Sequence, residues 1–310
     1  MEYQSTIEAP TSLTGKGLHT GKEVHITFKP ADEDFGIRFY RTDLPDKPEI
    51  RALVDYVDDT SRGTSLKANG AEIKTLEHLM AACAGLAIDN LLIEIDAEEL
   101  PILDGSSRLY VEAFLKVGIK QQQKEREYFV IDGKYELLMA RSGAEFKAYP
   151  ADKTSYKVNV DYGTQVLASQ TAILKNTADF YPEIYNCRTF VFLHELEFLM
   201  TNNLVKGGDL DNAIVFVDTI PDETTLNKLS VFFKKSDIQV LENGTLNNLQ
   251  LRHANEPARH KLLDLMGDLY LLGKPVKGRI VANKPGHAAN VEFVKMLKGG
   301  TQNAALIINH

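Results

Sequence analysis

Ala258-Arg259-His260-Lys261-Leu262-Leu263-Asp264-Leu265-Met266-Gly267-Asp268-Leu269-Tyr270-Leu271-Leu272-Gly273 is the stretch from which the rest of the chain is read. Its apolar residues recur at helical spacing, and Gly273 with Pro275 beyond it supplies a stop. At about 100° per residue, His260, Asp264 and Asp268 fall in one narrow stripe with Lys261 at its border. Leucines, Met266 and Tyr270 cover most of the remaining surface. Functional groups on an otherwise buried helix each need a partner. A His and an Asp four residues apart can point at one cation, for which imidazole plus carboxylate suits zinc. They can equally hydrogen-bond to each other on a half-exposed helix.

At 310 residues the chain is long for one hydrophobic core, so two domains are expected. Its 44% hydrophobic and 25% charged residues describe an ordinary globular protein. With 35 basic against 43 acidic residues, a nucleic acid is excluded as the expected partner, whereas a small anion in a local basic pocket is not. The two cysteines, Cys83 and Cys187, make neither a disulfide framework nor a cysteine zinc site, which fits a reducing compartment. No apolar run is long enough to span a bilayer, and Met1 to Ser5 does not read as a signal peptide. The expectation is a soluble cytoplasmic protein without an integral membrane segment.

Working outward, the first half reads as strands and turns: Val24 to Phe28 alternates, Lys29 to Asp32 turns, and Gly36 to Tyr40 resumes strand character. Thr75 is a plausible N-cap for a helix from Leu76 to Ala84 closed by Gly85. A buried strand, Asn90 to Ile95, and a helix ending near Gly118 follow. Gln121 to Glu127 is polar without an apolar face and serves as the boundary between domains 1–123 and 128–300, with 301–310 a tail or the start of a linker. Strands resume at Tyr128, Tyr135 and Ala144, and Arg188 to Phe192 leads into a helix from about His194 to Met200. A faint internal echo links Phe28-Lys29-Pro30-Ala31-Asp32 with Ala148-Tyr149-Pro150-Ala151-Asp152, each ending a strand. Runs of strands with a few long helices give an α+β class.

Glu77-His78 sits in the first turn of its helix, where partial positive charge favours a neutral imidazole, fit to bind a metal, and an ionised carboxylate, fit to act as a base. The plainer alternative is an acidic helix start with an incidental His. With His260 and Asp264, His78 completes two His and one carboxylate, the three protein ligands a catalytic zinc wants beside an open position for water. Glu77 could then take a proton from that water. His287, on the turn after Gly286, could be a second acid oriented by Asp268, or a helix-capping or surface His. His194-Glu195-Leu196-Glu197-Phe198 begins like a zincin helix but has Phe at its fifth position, so it is no metalloprotease motif. His19 and His25 read as structural or peripheral.

These motifs together resemble the zinc-dependent UDP-3-O-acyl-N-acetylglucosamine deacetylases of lipid A biosynthesis, over nearly the whole chain. The resemblance rests on Leu13 to Gly21, Thr75 to Ala82, Gly85 to Asn90, Pro101 to Ser106, Arg188-Thr189-Phe190, Arg259 to Asp268, and Gly286-His287-Ala288. It implies two similar α+β domains whose helices pack between two outer sheets, with the site at their interface. It implies zinc on His78, His260 and Asp264, although iron also accepts this set. Glu77 would be the general base, and Thr189 and His287 would stabilise or protonate the tetrahedral intermediate, with Asp268 supporting His287. Lys261 would face the polar head of the acylated UDP-glucosamine. Leu193 to Leu210 resembles the insert forming an acyl-chain passage, which assigns Leu193, Leu196, Gly208 and Leu210 to substrate, with Phe190 as a further substrate-binding residue. Thr60 to Ser65 lacks the cysteine-containing pattern of well-known relatives; those cysteines are not ligands. Some relatives continue into a fused hydroxyacyl carrier-protein dehydratase, which leaves a continuation beyond residue 310 open. The implied reaction is hydrolysis of the N-acetyl group to amine and acetate. A zinc hydrolase of another amide and a non-catalytic nucleotide-sugar binding protein are the competing readings.

Overall fold

A computed structural model of the chain describes residues 2–202, 204–246, 250–300 and 305–309. Among these, the helices are α1 (Glu77–Gly85), α2 (Arg108–Val117), α3 (Phe180–Glu183), α4 (Leu193–Thr201), α5 (Glu223–Phe233), α6 (Glu256–Leu269) and α7 (His287–Lys298). Strands gather chiefly in two sheets, so the α+β class holds.

The two sheets repeat one topology. In the first, strand Glu23–Pro30 pairs antiparallel with Thr11–Lys16 and with Leu91–Ile95; Leu91–Ile95 then runs parallel to Ile37–Arg41, which is edged by Glu49–Arg51. In the second, Ala144–Tyr149 pairs antiparallel with Tyr135–Met139 and with Arg279–Asn283; Arg279–Asn283 runs parallel to Ser155–Val160, which is edged by Gln170–Leu174. The Pro-Ala-Asp echo falls at the equivalent strand end in each sheet. Each half also places one helix before and one after its central parallel strand: α1 and α2, then α6 and α7.

Burial explains the layering. Strand Glu23–Pro30 alternates, turning Val24, Ile26 and Phe28 inward, and Phe28 meets Tyr110 and Phe114 of α2 edge-on. In the second half Phe146 packs on Phe293 of α7, here face to face, at 5.0 Å between ring centres. Helices α1 and α6 are buried nearly all round, as a central layer requires, and pack on each other. Between its edge strand and its central helix each half carries an insertion. The first is a small sheet of Val57–Asp59, Ser65–Ala68 and Ala71–Ile73. The second holds α4, α5 and the parallel strands Phe190–Phe192 and Ile214–Phe216. This second insertion has a small core of its own, built on Leu193, Leu196, Leu210, Leu229 and Phe233.

Three local expectations differ. The N-cap of α1 is Leu76, not Thr75; Thr75 takes φ +58° and its hydroxyl donates to buried Glu99 at 3.3 Å instead. The polar stretch 121–127 lies largely in a strand, Ile119–Glu125, paired with Tyr3–Ile7. Its side chains are mostly exposed, so no alternation marks it, and the ladder supplies its pairing. Of the expected tail, Ala305–Ile308 forms an edge strand parallel to Tyr135–Met139, while 301–304 and 310 lie outside the described residues. No described helix is long and apolar enough to cross a membrane. Both cysteines are buried and free.

Candidate active site

Because α1 and α6 cross at the centre, residues from the two halves meet. Glu77 and His78 enter from the first turn of α1; His260, Asp264 and Asp268 line up on one side of α6 at four-residue steps. The crossing is close because Gly267 has no side chain: a Cβ there would lie 2.1 Å from the carbonyl oxygen of Glu77. His287 opens α7 directly after Gly286.

One ligand atom each of His78, His260 and Asp264 lies within 4.8 Å of the others. Asp264 Oδ1 is 3.3 Å from His260 Nε2 and 3.7 Å from His78 Nε2. His260 donates its Nδ1–H to the Cys187 carbonyl at 3.0 Å, which leaves Nε2 as a lone pair facing the carboxylate. Asp264 Oδ1 is buried and has no hydrogen-bond partner. A buried carboxylate oxygen left unpaired between two imidazole nitrogens is costly unless a cation completes it, so this donor set fits a divalent metal. Burial, then neighbouring His260, pushes His78 down to about 3, so the imidazole is neutral. Burial likewise lowers His260. Burial resists the charge on Asp264, but His260 and Lys261 hold it well below the usual carboxylate range.

Beside this trio stand two further buried titratable groups, Glu77 and His287. Burial pushes Glu77 up to about 7, against the pull of His287. Burial also opposes the charge on His287, yet Asp268 and Glu77 outweigh it and push His287 up to about 9. His287 donates Nδ1–H to Asp268 Oδ2 at 3.0 Å, and its Nε2 lies 4.0 Å from Glu77 and 3.9 Å from Asp264. A carboxylate near neutrality facing a cationic imidazole is a set that can take one proton and give another.

Glu77, His78, Thr189, Phe190, His260, Lys261, Asp264 and His287 line one cavity of about 580 Å³. Lys261 donates to Asp264 Oδ2 at 2.8 Å and lies 5.7 Å over the Phe190 ring. Thr189 is held by its N–H to the Gly105 carbonyl at 2.7 Å. Asp268 sits behind His287, wholly buried. Leu193, Leu196 and Leu210 do not reach the cavity; they pack in the second insertion's core, and Gly208 lies against Val205. The apolar wall comes instead from Leu18, Val191, Phe198 and Leu199. His19 holds the Leu204 carbonyl from its Nδ1 at 3.1 Å, and His25 is an exposed partner of Asp96. His194 has 61% of its side chain exposed, bonds Asp218 and lines the cavity apart from the His78–His260–Asp264 trio. Sequence reasoning missed Thr64 and Asn290, both of which bond Asp268.

The chain matches the family model described as LpxC, UDP-3-O-acyl N-acetylglycosamine deacetylase, over residues 4–235 and 234–299. It is 48% identical over 299 residues to a bifunctional enzyme LpxC/FabZ of Chlorobaculum tepidum, covering 96% of this chain and 64% of that protein. A bifunctional LpxC/FabZ of Porphyromonas gingivalis is 43% identical over 96% of this chain and 64% of its own length. The chain thus spans 64% of the length of these bifunctional relatives. The UDP-3-O-acyl-N-acetylglucosamine deacetylase of Psychrobacter sp. is 34% identical over 307 residues, 98% of this chain and 95% of that one. On this match along its length, the chain belongs to the LpxC family of UDP-3-O-acyl N-acetylglycosamine deacetylases.

Proposed function

We propose that the chain hydrolyses the N-acetyl group of a UDP-3-O-(3-hydroxyacyl)-N-acetylglucosamine, giving the free amine and acetate, as a cytoplasmic step early in lipid A biosynthesis. The observation that carries this reading is the unpaired, buried Asp264 Oδ1 set between two imidazole Nε2 atoms, with Glu77 and His287 beside it. We take the metal as zinc, held by His78, His260 and Asp264. When bound it would polarise the amide carbonyl and acidify a water.

The chain's own residues do the rest. Glu77 accepts the proton of the attacking water, whose oxygen bonds to the carbonyl carbon. Thr189 donates to the oxygen that gains charge. His287, cationic and held through Nδ1 by Asp268, gives the Nε2 proton to the departing nitrogen as the carbon–nitrogen bond breaks. One water is consumed, and acetate and amine leave. Lys261 offers the lining its cation for the substrate's polar head, and Phe190, Val191, Phe198 and Leu199 shelter the acyl chain. A dehydratase partner domain, in keeping with the name LpxC/FabZ of the longer relatives, belongs to the same proposal for the full-length protein, and the intact mass of the protein from its host tests it.

The experiment is acetate release from the acylated UDP-sugar, before and after metal stripping with a chelator and re-addition of zinc. Activity lost and restored supports substrate, reaction and metal together; no release from metal-replete protein refutes the reading. Glu77→Ala is expected to keep its zinc and lose turnover, and full activity in that variant removes Glu77 from the role of base.

A further inference from the structure

Thr64 joins the base to the acid. It is wholly buried, directly before strand Ser65–Ala68 in the first half's small sheet. Its backbone N–H donates to Glu77 Oε2 at 3.0 Å, and its hydroxyl donates to Asp268 Oδ1 at 2.5 Å. The same hydroxyl oxygen lies 3.3 Å from His287 Nδ1. Asp268 Oδ2 meanwhile accepts His287 Nδ1–H at 3.0 Å and Asn290 Nδ2–H at 2.8 Å.

These bonds divide into two functions. The amide fixes one oxygen of Glu77, which leaves the other oxygen directed at His287. The hydroxyl occupies the Asp268 oxygen that His287 does not use. Without it, a fully buried carboxylate oxygen would lose the one donor that the described residues place on it, and the carboxylate would turn to seek another. The turn would carry Oδ2 away from His287 Nδ1 and swing Nε2 off its line between Glu77 and Asp264.

Resting on the deacetylase reading, we propose that Thr64 is a positioning residue for the reaction, its hydroxyl acting through Asp268 on His287 while its amide holds Glu77. The small sheet inserted before α1 is thereby part of the reaction's geometry. Thr64→Val retains shape and amide and removes only the hydroxyl; Thr64→Ser retains the hydroxyl.

In zinc-loaded protein, Thr64→Val is expected to lower kcat about 10- to 100-fold, the usual cost of losing a supporting hydrogen bond. KM should stay within about twofold, the signature of an interaction made in the transition state. Thr64→Ser should regain most of the rate. Added to His287→Ala, Thr64→Val should cost little more, because the hydroxyl acts through that ring. A second readout needs no turnover. The low-field proton resonance of His287 Nδ1–H, assigned by its loss in His287→Ala, should move in Thr64→Val and stay in Thr64→Ser. Should Thr64→Val not fold, Thr64→Ala replaces it in both arms. Unchanged kcat, a loss that adds in full to that of His287→Ala, or a resonance indifferent to the hydroxyl would overturn the proposal. If the wild-type protein releases no acetate, the deacetylase reading fails while the resonance still tests the Thr64 linkage.

Discussion

Gly267→Ala sets two effects of opposite sign against each other. Alanine in a helix interior gains about 1 kcal/mol over glycine in propensity. In α6, however, the new Cβ would lie 2.1 Å from the Glu77 carbonyl oxygen, 3.0 Å from its carbon and 3.1 Å from the Ala81 nitrogen. Carbon and oxygen rest at roughly 3.3 Å, so α1 and α6 must part by about 1 Å. The obstructing atoms are helix backbone and cannot rotate aside. Overpacking of this kind costs about 1–3 kcal/mol, and a backbone clash belongs at the upper end. The net expectation is a loss of about 2 kcal/mol, read as a Tm lower by about 4–8 °C. The larger effect is catalytic. His78 moves with α1 while His260 and Asp264 move with α6, so the trio opens, and a misplacement of about 1 Å costs on the order of 100-fold in rate. The assay pairs thermal unfolding with acetate release and zinc competition against a chromophoric chelator. A variant with raised Tm, wild-type zinc affinity and full turnover would refute the reasoning, because propensity would then have won at a crossing that is not tight.

Glu256 tests the second half's anchoring. It accepts Arg188 Nε at 2.9 Å and Nη2 at 3.1 Å, and burial notwithstanding, Arg188 holds it below the usual carboxylate range. A lowered pKa contributes stability above the unfolded value and loses it as pH falls through the folded one. Glu256→Gln should therefore lie furthest below wild type in Tm near neutrality, begin to close the gap as pH drops below about 4.5, and draw level only once pH has passed below the lowered folded value; a gap constant with pH contradicts the pairing. On α4, Leu196→Ala should cost about 2–5 kcal/mol by leaving a void in the second insertion's core. Phe198→Ala, at a residue 62% exposed, should change stability by under about 0.5 kcal/mol and raise KM for long-acyl substrate. Equal Tm losses in the two would mean that the cavity wall is misassigned.

Much of this was readable beforehand because the informative residues are local. The His260–Asp264–Asp268 stripe needs only helical spacing, and the Pro-Ala-Asp echo marks equivalent strand ends in two sheets of one topology. What stayed hidden depends on faces and ladders. Leu193 and Phe198 are equally apolar in sequence, yet one fills a core and the other a cavity wall, according to which side of α4 meets α5 and its strands. Residues 121–125 carry no apolar alternation because their ladder with Tyr3–Ile7 leaves most of their side chains in water. Thr64 has no periodic signature at all. Its partners are 13, 204 and 223 residues away, and only the closed fold assembles them.

The second insertion's separate core has a consequence for motion. The groups assigned to bond breaking sit on α1, α6 and α7, whose apolar residues belong to the one large core shared by both sheets. Half of the wall assigned to the acyl chain, Phe198 and Leu199, is carried by α4, whose packing closes on a small set of residues between Leu193 and Leu246. Such a unit opens at lower free energy than the whole. Amide hydrogen exchange should accordingly run faster in α4 and α5 than in α6, without unfolding between. A long chain could then enter and leave past a breathing wall, while the proton-transfer geometry a few ångströms away stays fixed.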